Sequence, residues 1–253
     1  MRRSHFRRFV LFASCSGLNP APNRFDFPFF PSFHPMNSST PSKILDLALD
    51  FARESFKNDF SGHDFAHTYR VFQLAGTLAK AENADLLTVQ LAAALHDVDD
   101  PKLFGGTFGQ HARAERFLRE NGIGEEEIGR ICTIISEISF KGTETRTPST
   151  LEGKVVQDAD RLDAIGAIGI GRAFAFGGSR GRAMYDPENP PKLGMNAEEY
   201  AKNQGSTINH FYEKLLLLRE MMNTPSARKL AEDRHRFMEA FLDEFFAEWE
   251  GKR

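Results

Sequence analysis

The chain has 253 residues, 41% apolar and 26% charged, enough for one large or two small domains with a sizeable core and too long for a stapled mini-protein. No run of about 18 apolar residues is available to cross a bilayer, and the two cysteines, Cys15 and Cys132, stand too far apart in sequence to suggest a disulfide framework or a zinc knuckle. The formal net charge of −3 conceals a split: residues 1–42 hold five arginines and one acid, and the rest carries 27 basic and 34 acidic groups, a balance of −7. A body this acidic is not expected to bind a nucleic-acid polymer, and no membrane association is expected.

Residues 1–42 hold Arg2, Arg3, Arg7, Arg8 and Arg24 against Asp26 alone, with eight of the 24 Phe and six of the 12 Pro. An Arg-rich, acid-poor, Ser-containing start is the composition of an organellar transit peptide, which would place the protein in a chloroplast or mitochondrion. Met36, followed by Asn37, Ser38 and Ser39, could also serve as the start of a cytoplasmic product. Both readings stay open.

From residue 43 to 253 the pattern is helical, and one all-α domain of seven to nine helices is expected. Ile44, Leu47, Ala48 and Phe51 fall on one face. Leu87, Leu91 and Leu95 repeat at i+4, and Ile128, Ile131, Ile135 and Ile138 follow a similar spacing. Ile208, Phe211, Leu215, Leu218 and Met222 form a further stripe, and Phe237, Phe241, Leu242, Phe245 and Trp249 close the chain. Pro101, Gly105 and Gly106 interrupt one helix, Lys141 to Pro148 reads as a polar loop, and Gly177 to Asn203 as a long excursion of the kind that serves as a lid, binding loop or insert. Gly166, Gly169 and Gly171 lack the strand and spacing of a phosphate loop, so close helix packing is the expected reason for them.

Polar residues where an apolar helix should continue mark the chemistry. His96 and Asp97 follow the run Leu91-Ala-Ala-Ala-Leu95, which would bury them, and a buried carboxylate needs a partner or a cation. Asp64 reads as an N-cap, with His67 one turn into the helix and Arg70 three residues on. Asp158, Asp160 and Asp163 interleave with another apolar helix. Taken singly, Asp158 reads as a cap and Asp163 as the partner of a neighbouring Arg; taken together, two imidazoles and two carboxylates suit a divalent first-row ion with open positions for water and substrate.

This order of residues, His67, then His96-Asp97, then Asp160, resembles the signature of the HD-domain metal-dependent phosphohydrolase superfamily, over roughly residues 43 to 250. The segments His63-Asp64-x-x-His67-x-x-Arg70-Val71, Asp158-Ala-Asp-Arg-Leu-Asp-Ala-Ile-Gly-Ala167 and His210-Phe-Tyr-Glu-Lys-Leu215 resemble a subgroup of small bacterial-type HD hydrolases that includes a nucleoside triphosphate pyrophosphohydrolase. The resemblance implies a helical bundle in which His67, His96, Asp97 and Asp160 ligate the metal. It places Asp100, three residues after Asp97, where related enzymes carry an acid that positions or activates water; Asp99 could substitute. Two-metal relatives place two further His between the HD pair and the last Asp, and only His111 lies there in this chain. One divalent ion is therefore expected, Mn2+ first, with Mg2+, Co2+ or Fe2+ as alternatives.

The implied reaction is metal-assisted hydrolysis of a phosphate ester or anhydride, with a nucleotide as the expected small-molecule substrate. Asp97 and Asp100 are the expected catalytic acids. Arg70, Lys102, Arg161 and Lys214 are candidates for holding substrate phosphates, since the body is net acidic, and each also has a plain reading as a surface charge. His210 and Lys214, at i+4, are expected to share a helix face and to close the pocket. The alternative is a module that keeps the metal cage and senses a nucleotide without turnover. A homo-oligomer is compatible with either.

Overall fold

A computed structural model describes residues 40–57, 64–99 and 111–253. Residues 1–39 with their arginines, His63, Asp100, Lys102 and the Pro101–Gly106 break lie outside the described residues. Among the described residues there are ten α-helices and no strand. They are α1 (Thr40–Ser55), α2 (Phe65–Glu82), α3 (Leu86–Leu95), α4 (Ala112–Glu120), α5 (Glu125–Glu137), α6 (Leu151–Asp163), α7 (Gly166–Ser179), α8 (Ala197–Lys202), α9 (Thr207–Glu213) and α10 (Pro225–Trp249). The count exceeds the seven to nine expected because α8, six residues long and inside the Gly177–Asn203 excursion, is too short to show a hydrophobic period. No helix among the described residues is long and apolar enough to cross a membrane.

The organising element is α3. Its sequence is apolar all round, which a helix tolerates only when neighbours cover every face. Here α1, α2, α5 and α6 do so, and Leu91 through Leu95 are each 0% exposed. Side-chain caps begin the helices around it. Asp64 caps α2, Asp85 caps α3 and Thr150 caps α6, each accepting from an amide in the first turn. Cys132 lies buried in α5, where burial first, and then the charges of Glu115 and Asp99, push its thiol up to about 11. It is an inert core group.

Several faces differ from the sequence reading. On α1 the buried residues are Ala48 and Ala52, and Leu47 is exposed. On α10 the core stripe is Ala227, Ala231, Met238 and Leu242, at spacings of four, seven and four, while Phe237 and Trp249 face outward. Of the expected stripe, Leu242 is buried and Phe241 and Phe245 pack partly buried against the core, so only its two ends depart from it. The excursion after α7 begins only at Arg180, contains α8 and is fastened down. Glu213 accepts from Lys192 N–H at 3.0 Å and from Asn203 Nδ2 at 2.6 Å, while Thr207 and Ile208 amides donate to the Ala183 and Met184 carbonyls.

The three glycines of α7 separate by cause. Gly166 has φ +75°, and a Cβ there would meet the Arg234 side chain at 3.0 Å; a Cβ on Gly169 would lie 2.2 Å from the Ala164 carbonyl oxygen; around Gly171 there is open space. Close packing therefore accounts for the first two and not the third. Gly169→Ala is expected to destabilise by about 1–3 kcal/mol through overpacking. Gly171→Ala should stabilise by roughly 0.5–1 kcal/mol through helix propensity. Denaturant melts of the two variants that moved in the same direction would contradict this assignment.

Candidate metal centre

Three helix ends converge beside the core. Asp64 accepts from the His67 amide at 2.9 Å, fixing the first turn of α2, and the His67 side chain enters the interior at 1% exposure. The apolar α3 ends on His96, its buried C-cap, with Asp97 next in line. The last turn of α6 supplies Asp160 and Asp163.

His67 Nε2 lies 3.3 Å from His96 Nε2, 3.5 Å from Asp97 Oδ2 and 3.4 Å from Asp160 Oδ1, and His96 Nε2 is 3.1 Å from Asp97 Oδ2. Ligand atoms of His67, His96 and Asp97 all fall within 4.8 Å of one another. Asp160 joins this set through its contact with His67 and forms the more open edge, with 31% of its side chain exposed.

The outer ring nitrogens are already committed. His96 Nδ1–H donates to the Ala93 carbonyl at 2.8 Å, and His67 Nδ1–H donates to Asp163 Oδ2 at 2.7 Å. A carbonyl and an ionised carboxylate only accept, so this network assigns a proton to Nδ1 on both rings and turns both Nε2 atoms inward. Burial alone would lower the His96 pKa, but Asp97, Asp160 and the Ala93 carbonyl outweigh it and raise it to about 9. The cluster therefore attracts positive charge, and two imidazole nitrogens with two carboxylates form a donor set that fits a divalent first-row ion.

The cations proposed for substrate divide. Arg70 donates from Nε to Asp163 Oδ1 at 2.7 Å and from Nη2 to Oδ2 at 3.0 Å, and Arg172 of α7 donates to Oδ2 at 2.9 Å. Burial works to raise the Asp163 pKa; the hydrogen bonds from His67 and Arg70 and the charge of Arg172 overcome it and hold the carboxyl well below the usual range. Arg161 is buried at 5% exposure and donates to the Met221 carbonyl. Lys214 lies 4.9 Å from the centroid of the Phe140 ring, and burial, then Arg172 and Arg161, lower its pKa against the pull of Asp160.

His210 and Lys214 lie one turn apart at the end of α9, where Lys214 is the C-cap: its amide donates to the His210 carbonyl at 3.1 Å, and its own backbone departs from helical angles with φ −143° and ψ −59°. The two remain neighbours beside an aromatic wall. Phe140 and Tyr200 meet edge to face at 5.1 Å, and Tyr200 lies 6.4 Å from the His210 ring. Arg172, Phe140 and Tyr200 escaped the sequence reading. Arg172 lies on the next helix, nine residues from Asp163, a spacing that no helical repeat connects, and the other two sit in irregular or short segments.

His210 adds a pH dependence. Burial, with Lys214 and Arg182 behind it, lowers its pKa from 6.5 to about 3. The unfolded chain then binds the proton first, so stability held above pH 6.5 is lost as pH falls toward 3. The slope is bounded by roughly 1.4 kcal/mol per pH unit and is reduced by the residue's partial exposure to solvent. His210→Asn is expected to flatten the fall in melting temperature across this window; equal slopes for variant and wild type would remove His210 as its source.

A family model for the HD domain matches residues 64–165, from the α2 cap through the three helix ends, and the chain belongs to this superfamily of hydrolases. It is 42% identical over 187 residues to the uncharacterized protein YpgQ of Bacillus subtilis, covering 73% of this chain and 83% of that one. A crystal structure of YpgQ in complex with ADP superposes with a TM-score of 0.66 at 38% identity, covering 82% of this chain and 95% of the other. A Lactobacillus plantarum protein aligns with a TM-score of 0.75 at 40% identity, over 85% of this chain and all of its own. An HD-superfamily hydrolase from Bacillus thuringiensis aligns with a TM-score of 0.65 at 39% identity, over 84% and 99%.

Proposed function

We propose that this hydrolase cleaves a phosphoanhydride of a nucleotide, in the manner of a nucleoside triphosphate pyrophosphohydrolase, with one divalent ion held by His67, His96, Asp97 and Asp160. The observation that carries the reading is the convergence of both Nε2 atoms with Asp97 and Asp160 at the end of the buried α3. The ADP bound to YpgQ supports a nucleotide as ligand.

A divalent ion bound there would acidify water and polarise a phosphoryl oxygen, and Mn2+ is the ion proposed, since a mixed nitrogen and oxygen set accepts it. The chain's own residues do the rest. The Nδ1 hydrogen bonds of His67 and His96 aim both Nε2 atoms at the metal position, and the proton that Asp97 and Asp160 hold on His96 would be released as a cation takes its place. Lys214, beside Asp160 and over Phe140, is placed to hold a substrate phosphate. Asp97 borders the reacting centre and serves it as ligand, while Asp100, outside the described residues, is proposed to handle the proton of the attacking water.

The test is a screen for phosphate and pyrophosphate release over nucleotides, with Mn2+, Mg2+, Co2+ or chelator. Metal-dependent pyrophosphate release from nucleoside triphosphates is the expected result. Phosphate release alone would assign a different bond, and tight metal binding without any turnover would replace the enzyme reading by that of a sensor.

A further inference from the structure

We infer that Asp163 is the positioning residue of the metal centre, fixing the tautomer and aim of His67, and that Arg70 and Arg172 serve this carboxylate in place of the substrate. The inference rests on the metal reading above. Its basis is a bracket that α6 makes around one imidazole. Asp160 Oδ1 stands 3.4 Å from Nε2 on the inner edge, and Asp163 Oδ2 stands 2.7 Å from Nδ1 on the outer edge. The two acids are three residues apart, so one helical turn presents both. On the facing helix, His67 and Arg70 are also three apart, and Arg70 grips both oxygens of Asp163.

This placement excludes Asp163 as a ligand of the same ion. Its oxygen lies behind the ring, on the nitrogen opposite the one that faces Asp97 and His96. It also decides what the arginines do. A carboxylate at 4% side-chain exposure with an imidazole N–H, a bidentate guanidinium and a second guanidinium on it has no freedom to swing. Arg172 comes from α7, so three helices meet on a single carboxylate and hold the His67 ring in register with α3. Such outer partners of a ligating histidine set its ring orientation and basicity.

The experiment is calorimetric titration of Mn2+ into wild type, Asp163→Ala, Asp163→Asn and Arg70→Gln, with the Co2+ absorption spectrum and the metal-free melting temperature of each. Asp163→Ala is expected to weaken Mn2+ binding by about 10–100-fold and to perturb the Co2+ bands. Asp163→Asn keeps the shape and one acceptor and should fall between Ala and wild type, and Arg70→Gln should weaken metal binding as well. A purely structural role would lower the melting temperature and leave the dissociation constant of the folded protein alone. Unchanged affinity in folded Asp163→Asn overturns the inference even where the Ala variant fails to fold, and unchanged affinity in Arg70→Gln overturns its second half. If wild type itself binds no Mn2+, the metal reading falls first, and that result is visible in the control trace alone.

Discussion

Asp97→Ala is expected to lower metal-dependent release of phosphate or pyrophosphate by about a thousandfold, because a metal centre contributes several kcal/mol of transition-state stabilisation and each 1.36 kcal/mol is a factor of ten. Asp97 stands where both imidazoles converge, 3.1 Å from His96 Nε2 and 3.5 Å from His67 Nε2. Its loss removes one of the two negative charges that offset a divalent cation. The fold should survive, since truncation thins the crowding of carboxylates at the site and α3 keeps its apolar cover on all sides. Two readouts are needed together. Mn2+ affinity should fall along with turnover, while the circular dichroism spectrum and metal-free melting temperature stay close to wild type. Retention of more than a tenth of wild-type turnover by a folded, metal-loaded variant would remove Asp97 from the centre.

The path from sequence to site is legible where the cause is local. Leu91 to Leu95 is apolar without interruption, so the helix must be central, and whatever follows must meet the core; His96 is buried in it and Asp97 stands at its edge with 14% of the side chain exposed. Asp64 caps the helix that carries His67 for reasons contained within four residues. Legibility stops where the partner is remote. The Asp163 carboxylate meets His67 and Arg70 across 96 and 93 residues of sequence, and no local pattern distinguishes that destination for Arg70 from a substrate phosphate. Apolar stripes mislead where two faces of a helix are both greasy, as on α10, whose small residues and Met238 point inward while Phe237 and Trp249 do not. The break at Lys214 is likewise invisible, since the Leu215 to Leu218 run has strong helix formers on both sides of it.

Asp158→Ala is expected to cost about 3–5 kcal/mol of stability, since it deletes the acceptor from a buried cluster of donors and leaves them without a partner. Asp158 is 0% exposed. Its Oδ1 accepts from the Asn223 amide at 2.8 Å and from Asn223 Nδ2 at 2.9 Å, and its Oδ2 accepts from the Thr224 amide at 2.8 Å and the Thr224 hydroxyl at 2.7 Å. Thr224 is the N-cap of α10 and makes no side-chain cap of its own, so a carboxylate from α6 secures the helix entrance in its stead. Negative charge is favourable at that end of the dipole. Successive residues of a helix turn by about 100°, so Asp158 and Asp160 face nearly opposite sides of α6, one tying down α10 and the other bordering the metal centre. For a domain of this size the loss corresponds to a drop of roughly 6–20 °C in melting temperature. A cycle with Thr224→Val should show a coupling above about 0.5 kcal/mol, because the two side chains share a hydrogen bond. A shift below 3 °C, or strict additivity in the cycle, would mean that α10 is held by its apolar face alone.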